Sequence, residues 1–196
     1  MNDSSTTRTA RSRGAILQAA IDICAERGYH AVTMEAIAAR ARVGKPTLYR
    51  WWPTKGALFL DALTDRIGEQ FFLYPDTGDI RVDLRNWLHG VIRLFTDPHY
   101  RELTAGVIGS LQHDQELATV VHEQVHVNMK KRNNERLLVA RKAGQLPDID
   151  LGLLDDMLVA PMWYRLLVTG EPLTTEYADA VLATLLGPDP VATDGS

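Results

Sequence analysis

The sequence predicts an all-α protein in two parts, a small amino-terminal bundle of three helices joined by a further helix to a larger helical remainder. Three observations carry that prediction. Apolar residues recur at helical spacing across residues 13–186, and no run alternates convincingly as a strand would. Glycine and proline fall between the periodic runs, at Gly28, Pro53, the cluster Tyr74-Pro75-Asp76-Thr77-Gly78, and Gly144. At 196 residues and 45% hydrophobic, the chain can bury one sizeable core or two small ones.

Residues 1–12 are polar, with Ser4, Ser5, Thr6 and Thr7, and are expected to form a disordered basic arm. Residues 13–27 then place Ala15, Ile16, Ala19, Ala20, Ile23 and Cys24 on an inward face, and Gly28 closes the helix. Cys24 is the single cysteine, so no intramolecular disulfide forms. Its place on the apolar face reads as core rather than as a redox sensor.

Residues 33–55, TMEAIAARARVGKPTLYRWWPTK, hold two short helices around a tight turn. Thr33 caps the first, Glu35 suits its positive end, and Met34, Ile37, Ala38 and Ala41 share one stripe. Arg42-Val43-Gly44 makes the turn. Pro46 is tolerated only in a first helical turn and Pro53 ends the helix that starts there, so this second helix has about two turns. On it Leu48 and Trp52 point inward, and Lys45, Pro46, Thr47, Tyr49, Arg50 and Trp51 occupy the remaining sides.

Such an outward face suits the major groove of double-stranded DNA, since hydroxyls and cations reach phosphates while Thr, Arg and apolar edges meet base edges and thymine methyls. Thr33, Tyr49 and Lys55 are the expected phosphate contacts. Lys45, Pro46, Thr47, Arg50 and Trp51 are the expected readers. Charge agrees with the placement: residues 1–55 hold nine Lys and Arg against four Asp and Glu, a balance of +5, whereas residues 56–196 carry −9. The alternative is an ordinary helical hairpin with Tyr49, Trp51 and Trp52 as core.

At these residues the chain resembles the TetR family of bacterial transcriptional regulators. A Thr-started helix, an Ala-Gly-Val-type turn, a Leu-Tyr-x-x-aromatic reading helix and a following Lys-x-x-Leu are matched by Thr33, Val43, Leu48, Tyr49, Trp52, Lys55 and Leu58. Two positions depart from the pattern. Arg42 stands where a turn glycine is common, so a residue with a Cβ must take any positive φ unless Gly44 does. Gly56 replaces a helix-favouring acid, and Thr54 as cap would offset the weakened start. The later order DLRNWL, DPHYREL, a long helix and PMWYRLLVTGEPLT is also similar to the effector-binding half of that family.

The resemblance implies a homodimeric, cytoplasmic, ligand-responsive regulator, most often a repressor. Its last two long helices would form a four-helix interface with the second copy, and its middle helices would enclose a small-molecule cavity. The expected domains are the arm at 1–12, a helix-turn-helix DNA-binding domain at 13–55, a helical effector-binding and dimerisation domain at 56–187, and a loose tail at 188–196. Further helices are expected at 54–72, 80–95, 99–112, 114–143, 150–169 and 174–186, with Pro161 bending the penultimate one. Apolar residues at 151–168 and 177–185 exceed what a thin outer layer needs, and burial against a twofold mate would use them; the alternative is an intramolecular core. Two reading helices about 34 Å apart would then meet successive grooves of a palindrome.

Trp87, Val91, Phe95, Ile108, Leu111, His122, Met129, Met157, Trp163 and Tyr164 are the expected walls of the effector cavity, being large apolar groups with a few polar tips. Residues 122–126 also read His-Glu-Gln-Val-His, which matches the zinc-hydrolase pattern H-E-x-x-H. Met129 and Arg132 stand where an extended pattern would place a glycine and a third histidine, so no third ligand declares itself and no metal or cofactor is expected. A zinc-dependent hydrolase and a helical ligand-binding protein without DNA-reading activity remain the rivals. No apolar run approaches the roughly 18 residues of a membrane span, and the first residues lack the apolar core of a signal peptide.

Overall fold

The first helix, α1, runs Asp3–Arg27 and ends where the Gly28 N–H donates to the Cys24 carbonyl at 2.8 Å. The computed structural model describes residues 3–187, apart from the side chains of residues 3–10, 69, 70, 99, 124 and 125; the expected tail at 188–196 lies outside the described residues. The helix thus begins ten residues before the expected start at Arg13. Its inward face is also wider than one stripe. Leu17 and Ile21 are buried with Ile16, Ala19, Ala20, Ile23 and Cys24, whereas Ala15 is exposed. The reason is that three helices pack around α1, namely α2 (Met34–Ala41), α4 (Lys55–Ile67) and α6 (Pro98–Ser110). Burial pushes the Cys24 thiol up to about 11, which keeps it protonated and unreactive.

The chain divides into two units, Met1–Gln70 with Phe95–Glu123, and Phe71–Leu94 with Gln124–Ser196. This differs from a boundary at residue 55, because α6 belongs with the amino-terminal helices. Leu103 and Val107 enter the same apolar cluster as Ile16, Phe59 and Leu63. Gly106 lets the Tyr29 ring lie directly against the α6 backbone, and the Tyr29 hydroxyl meets Ser110 Oγ at 2.7 Å. The departure at Gly56 has a similar cause. A Cβ there would meet Leu117 Cδ2 of α7 (Gln115–Val120) at 2.4 Å, so the missing side chain makes room for Leu117, and Thr54 caps α4 through Ala57 N–H at 3.1 Å.

The helix expected over 54–72 stops at Ile67. Gly68 takes φ 73°, and a 3₁₀ turn, Glu69–Phe72, comes next. Phe71 and Phe72 prolong the apolar spacing past that break, which is why periodicity alone overran it.

In the second unit, Trp87 of α5 (Ile80–Thr96) donates its indole N–H to the Phe71 carbonyl at 3.0 Å and meets the Tyr74 ring edge-on. Asp83, wholly buried, accepts from Thr77 N–H and Oγ1 and pairs with Arg136 of α8 (Val127–Lys142). The Tyr74 hydroxyl donates to Asp155 of α9 (Leu151–Tyr164), and Arg81 donates to the carbonyl of Leu186, the last residue of α10 (Thr175–Leu186), and to that of Gly187 after it. The expected long helix over 114–143 contains a π-helical stretch, Val121–His126, between α7 and α8. Pro161 lies inside α9 without ending it. A second π-helical stretch, Arg165–Thr169, comes after it and closes at Gly170 in the left-handed region.

Candidate nucleic-acid interface

Thr33 is in extended conformation before α2, and its Oγ1 accepts from the Ala36 N–H at 3.2 Å, the expected cap. α2 then ends at Arg42, the one non-glycine residue with positive φ among the described residues, at φ 56° and ψ 42°. The Val43 N–H donates to the Ala38 carbonyl at 3.0 Å and the Arg42 N–H to Ala39 at 3.2 Å, so arginine occupies the left-handed position of a Schellman-type stop. Gly44, at φ −71°, does not share the strain. Arg42→Gly should therefore raise stability by about 1 kcal/mol, because glycine adopts this conformation without steric cost. Thermal unfolding measures it, and a fall in midpoint would show that the Arg42 side chain contributes more than its backbone costs.

The expected reading helix, α3, Lys45–Trp51, has Pro46 in its first turn and accepts its first bonds through the Gly44 carbonyl. Leu48 is fully buried and Trp52 nearly so, which fixes the orientation expected from spacing. Lys45, Pro46, Tyr49 and Arg50 are exposed, Tyr49 to 45%, while Thr47 and Trp51 are partly so. An exposed aromatic and cations on one short helix is the surface a groove-reading helix needs. Lys45 Nζ lies 3.3 Å from Glu35 Oε1 across an exposed pair, a contact that contributes little to stability.

Lys55 is placed differently from expectation. Its ammonium donates to the Tyr29 carbonyl at 2.9 Å and the Val32 carbonyl at 3.2 Å and sits 4.3 Å from the Tyr29 ring centroid. In this structure the charge closes the turn after α1, where two carbonyls and a ring face attract it. Desolvation lowers its pKa.

Two supports of α3 were not legible from spacing. Trp52 Nε1 donates to Asp61 Oδ2 at 2.9 Å, and Arg13 binds both Asp61 and Asp65. The one available signal was general, that a buried indole N–H needs an acceptor. Arg40 meanwhile holds Glu26 with both ends of its guanidinium, at 2.6 and 2.7 Å, and so ties α2 to α1.

The expected effector walls are divided between the units. Phe95, Ile108, Leu111 and His122 belong to the first, with Phe95 buried, the two aliphatics partly so and His122 exposed. In the second, Trp87 and Val91 are buried and Met129 and Trp163 partly buried. Met157 and Tyr164 are exposed to 42% and 58%, beside Leu153, Leu167 and Val168, which are also exposed. One open concavity of about 480 Å³ in the second unit is lined by Lys131, Asn134, Glu135, Leu138, Arg141, Asp150, Leu151 and Gly152, none of them an expected wall residue.

His122 and His126 are both exposed and lie in the π-helical stretch. No group of three or more His, Cys, Asp or Glu able to hold a metal occurs among the described residues, so the hydrolase rival gains no support from the geometry. No helix of the described residues is long and apolar enough to cross a membrane.

Residues 16–62 match the family described as bacterial regulatory proteins, tetR family, and residues 74–185 match the tetracyclin repressor-like C-terminal domain. The uncharacterized HTH-type transcriptional regulator YdeS of Bacillus subtilis (strain 168) is 33% identical over 181 residues, which is 88% of this chain and 87% of that protein. The DNA-binding transcriptional repressor TetR of Mycobacteroides abscessus (strain ATCC 19977) is 28% identical over 182 residues, covering 89% of this chain and 93% of that one. The crystal structure of the TetR family transcription regulator SCO0332 superposes with a TM-score of 0.71 at 36% identity, covering 91% of this chain and 99% of that chain.

Proposed function

Since the chain belongs to the TetR family and is a DNA-binding transcriptional regulator, we propose that it is a cytoplasmic repressor that grips a palindromic operator as a homodimer and is released by a small-molecule effector. The observation that carries the reading is the pair Leu48 and Trp52, buried so that Lys45, Pro46, Tyr49 and Arg50 stand exposed on a short helix beside a capped turn. Repression is supported by the repressor relative that aligns over most of the chain. Dimerisation is supported by Leu153, Met157, Tyr164, Leu167 and Val168, large side chains left exposed on α9 and the π-helical stretch after it. On this reading Met157 and Tyr164 face the second copy rather than the effector.

Within the reading head, Thr33 and Tyr49 contact phosphates, while Lys45, Pro46, Thr47, Arg50 and Trp51 meet base edges. Lys55 holds the turn at Tyr29 and Val32 in place of a phosphate. Effector binding favours a state whose heads no longer match successive grooves, and by linkage DNA weakens the effector equally.

The test is selection of duplexes from a random pool by the purified protein, followed by sequencing; a recovered palindrome is expected, and binding that is indifferent to sequence and salt would remove the reading. On the recovered operator Tyr49→Phe should weaken binding to all duplexes alike, and Arg50→Ala should cost about 1–3 kcal/mol and relax one base position. Equal losses on every sequence for both variants would withdraw Arg50 from base reading.

A further inference from the structure

We propose that Asp61, on α4, is a positioning residue for DNA reading: it orients Trp52 and through it Trp51. The inference rests on the DNA-reading function above. Trp52 is the residue that caps the reading helix, and its buried ring N–H needs an acceptor. Asp61 Oδ2 holds it at 2.9 Å. The other oxygen, Oδ1, is taken by Arg13 of α1, whose second guanidinium nitrogen reaches Asp65 Oδ1 at 2.8 Å, one turn further along α4. The carboxylate, about a third of it exposed, is thereby held from two sides.

The consequence reaches the outward face. Trp51 meets Trp52 edge to face, with ring centroids 5.4 Å apart and planes at 82°. Trp51 is only partly buried and lies among the residues assigned to base contact. Its ring direction is set by the indole behind it, and that indole by Asp61. Contacts to bases depend on placement within about 0.5 Å, so a loosened Trp51 loses discrimination before it loses affinity.

A carboxylate that merely satisfies a buried N–H would lower stability on removal and leave the selectivity of the folded protein unchanged. The two roles are separated with the palindrome selected by the wild-type chain and a shuffled duplex of equal length, at one salt concentration and at a temperature where circular dichroism shows each variant folded. Asp61→Ala and Trp52→Phe should each reduce the ratio of palindrome to shuffled affinity roughly tenfold, the scale of one misread base pair. Asp61→Asn keeps an oxygen acceptor while removing the same charge, so it should retain most of the ratio, and the double variant Trp52→Phe/Asp61→Ala should lose no more than the larger single.

An unchanged ratio in Asp61→Ala overturns the inference. Should that variant not fold, an unchanged ratio in Trp52→Phe, which keeps an aromatic ring in the seat, overturns it equally. Loss in Asp61→Asn as large as in Asp61→Ala also overturns it, because charge and not the indole bond would then be responsible. A wild-type chain that enriches no palindrome overturns the operator reading and this inference together; enrichment with unaltered variants overturns this inference alone.

Discussion

Gly106→Ala should destabilise the protein by about 2 kcal/mol or more and lower its thermal midpoint by about 4–8 °C. Helix propensity alone gives the opposite sign, since alanine in a helix interior gains roughly 1 kcal/mol over glycine. Space decides against propensity. A Cβ at Gly106 would lie 2.1 Å from Tyr29 Cγ, 2.5 Å from its Cδ2 and 2.6 Å from its Cβ, all close to the backbone end of a buried ring. Tyr29 has no free direction to retreat, because its hydroxyl is bonded to Ser110, Phe59 packs at 5.1 Å and the Lys55 ammonium sits over its ring. Gly109, in the same helix, has nothing within 4 Å of such a Cβ. Gly109→Ala should therefore raise the midpoint, with a gain of up to about 1 kcal/mol. Calorimetry on the two variants checks the pair, and midpoints that move in the same direction would show that α6 does not press on Tyr29 as described.

Asp83→Ala should cost about 3–5 kcal/mol, the penalty for stranding one partner of a buried ion pair, and lower the midpoint by about 10 °C. The Asp83 side chain is 0% exposed and that of Arg136 only 10%, so water cannot replace the lost carboxylate. Thr77 would lose its acceptor as well, its N–H at 3.0 Å and its hydroxyl at 2.7 Å. What remains for Arg136 is the Pro75 carbonyl at 3.3 Å and Asp76, whose own side chain is 71% exposed. Replacing both partners, as in Asp83→Leu/Arg136→Met, should cost much less than Asp83→Ala, because no charge is then left buried. A single-variant cost below about 1 kcal/mol would mean that solvent reaches the pair.

The reading head was legible because its determinants are local. Thr33 caps Ala36 three residues on, Pro46 and Pro53 bracket one short helix, and Leu48 and Trp52 lie one turn apart. Spacing of this kind is visible in a string of letters. Arg42 could be narrowed to one of two outcomes, since the turn needed a positive φ and only Arg42 or Gly44 was available to take it. The supports of that head were not legible. Asp61 and Trp52 are nine residues apart, Arg13 and Asp61 forty-eight, and Tyr29 and Ser110 eighty-one, and no periodicity links them. Lys55 shows the same limit from the other side: spacing marks it as a cation near the head, and only its carbonyl partners show where the charge is spent.

By itself the sequence determined the helical class, the position of the turn, the inward pair on the reading helix and the concentration of positive charge in the first 55 residues. These stem from hydrogen bonds and side-chain periods that span three or four residues. Tertiary structure decided that α6 joins the amino-terminal helices, that Gly56 and Gly106 are spaces for Leu117 and Tyr29, and that Arg42 bears the strained turn. Those outcomes depend on volume and polar pairing between distant segments, which an amphipathic stripe permits in several ways and close packing allows in one.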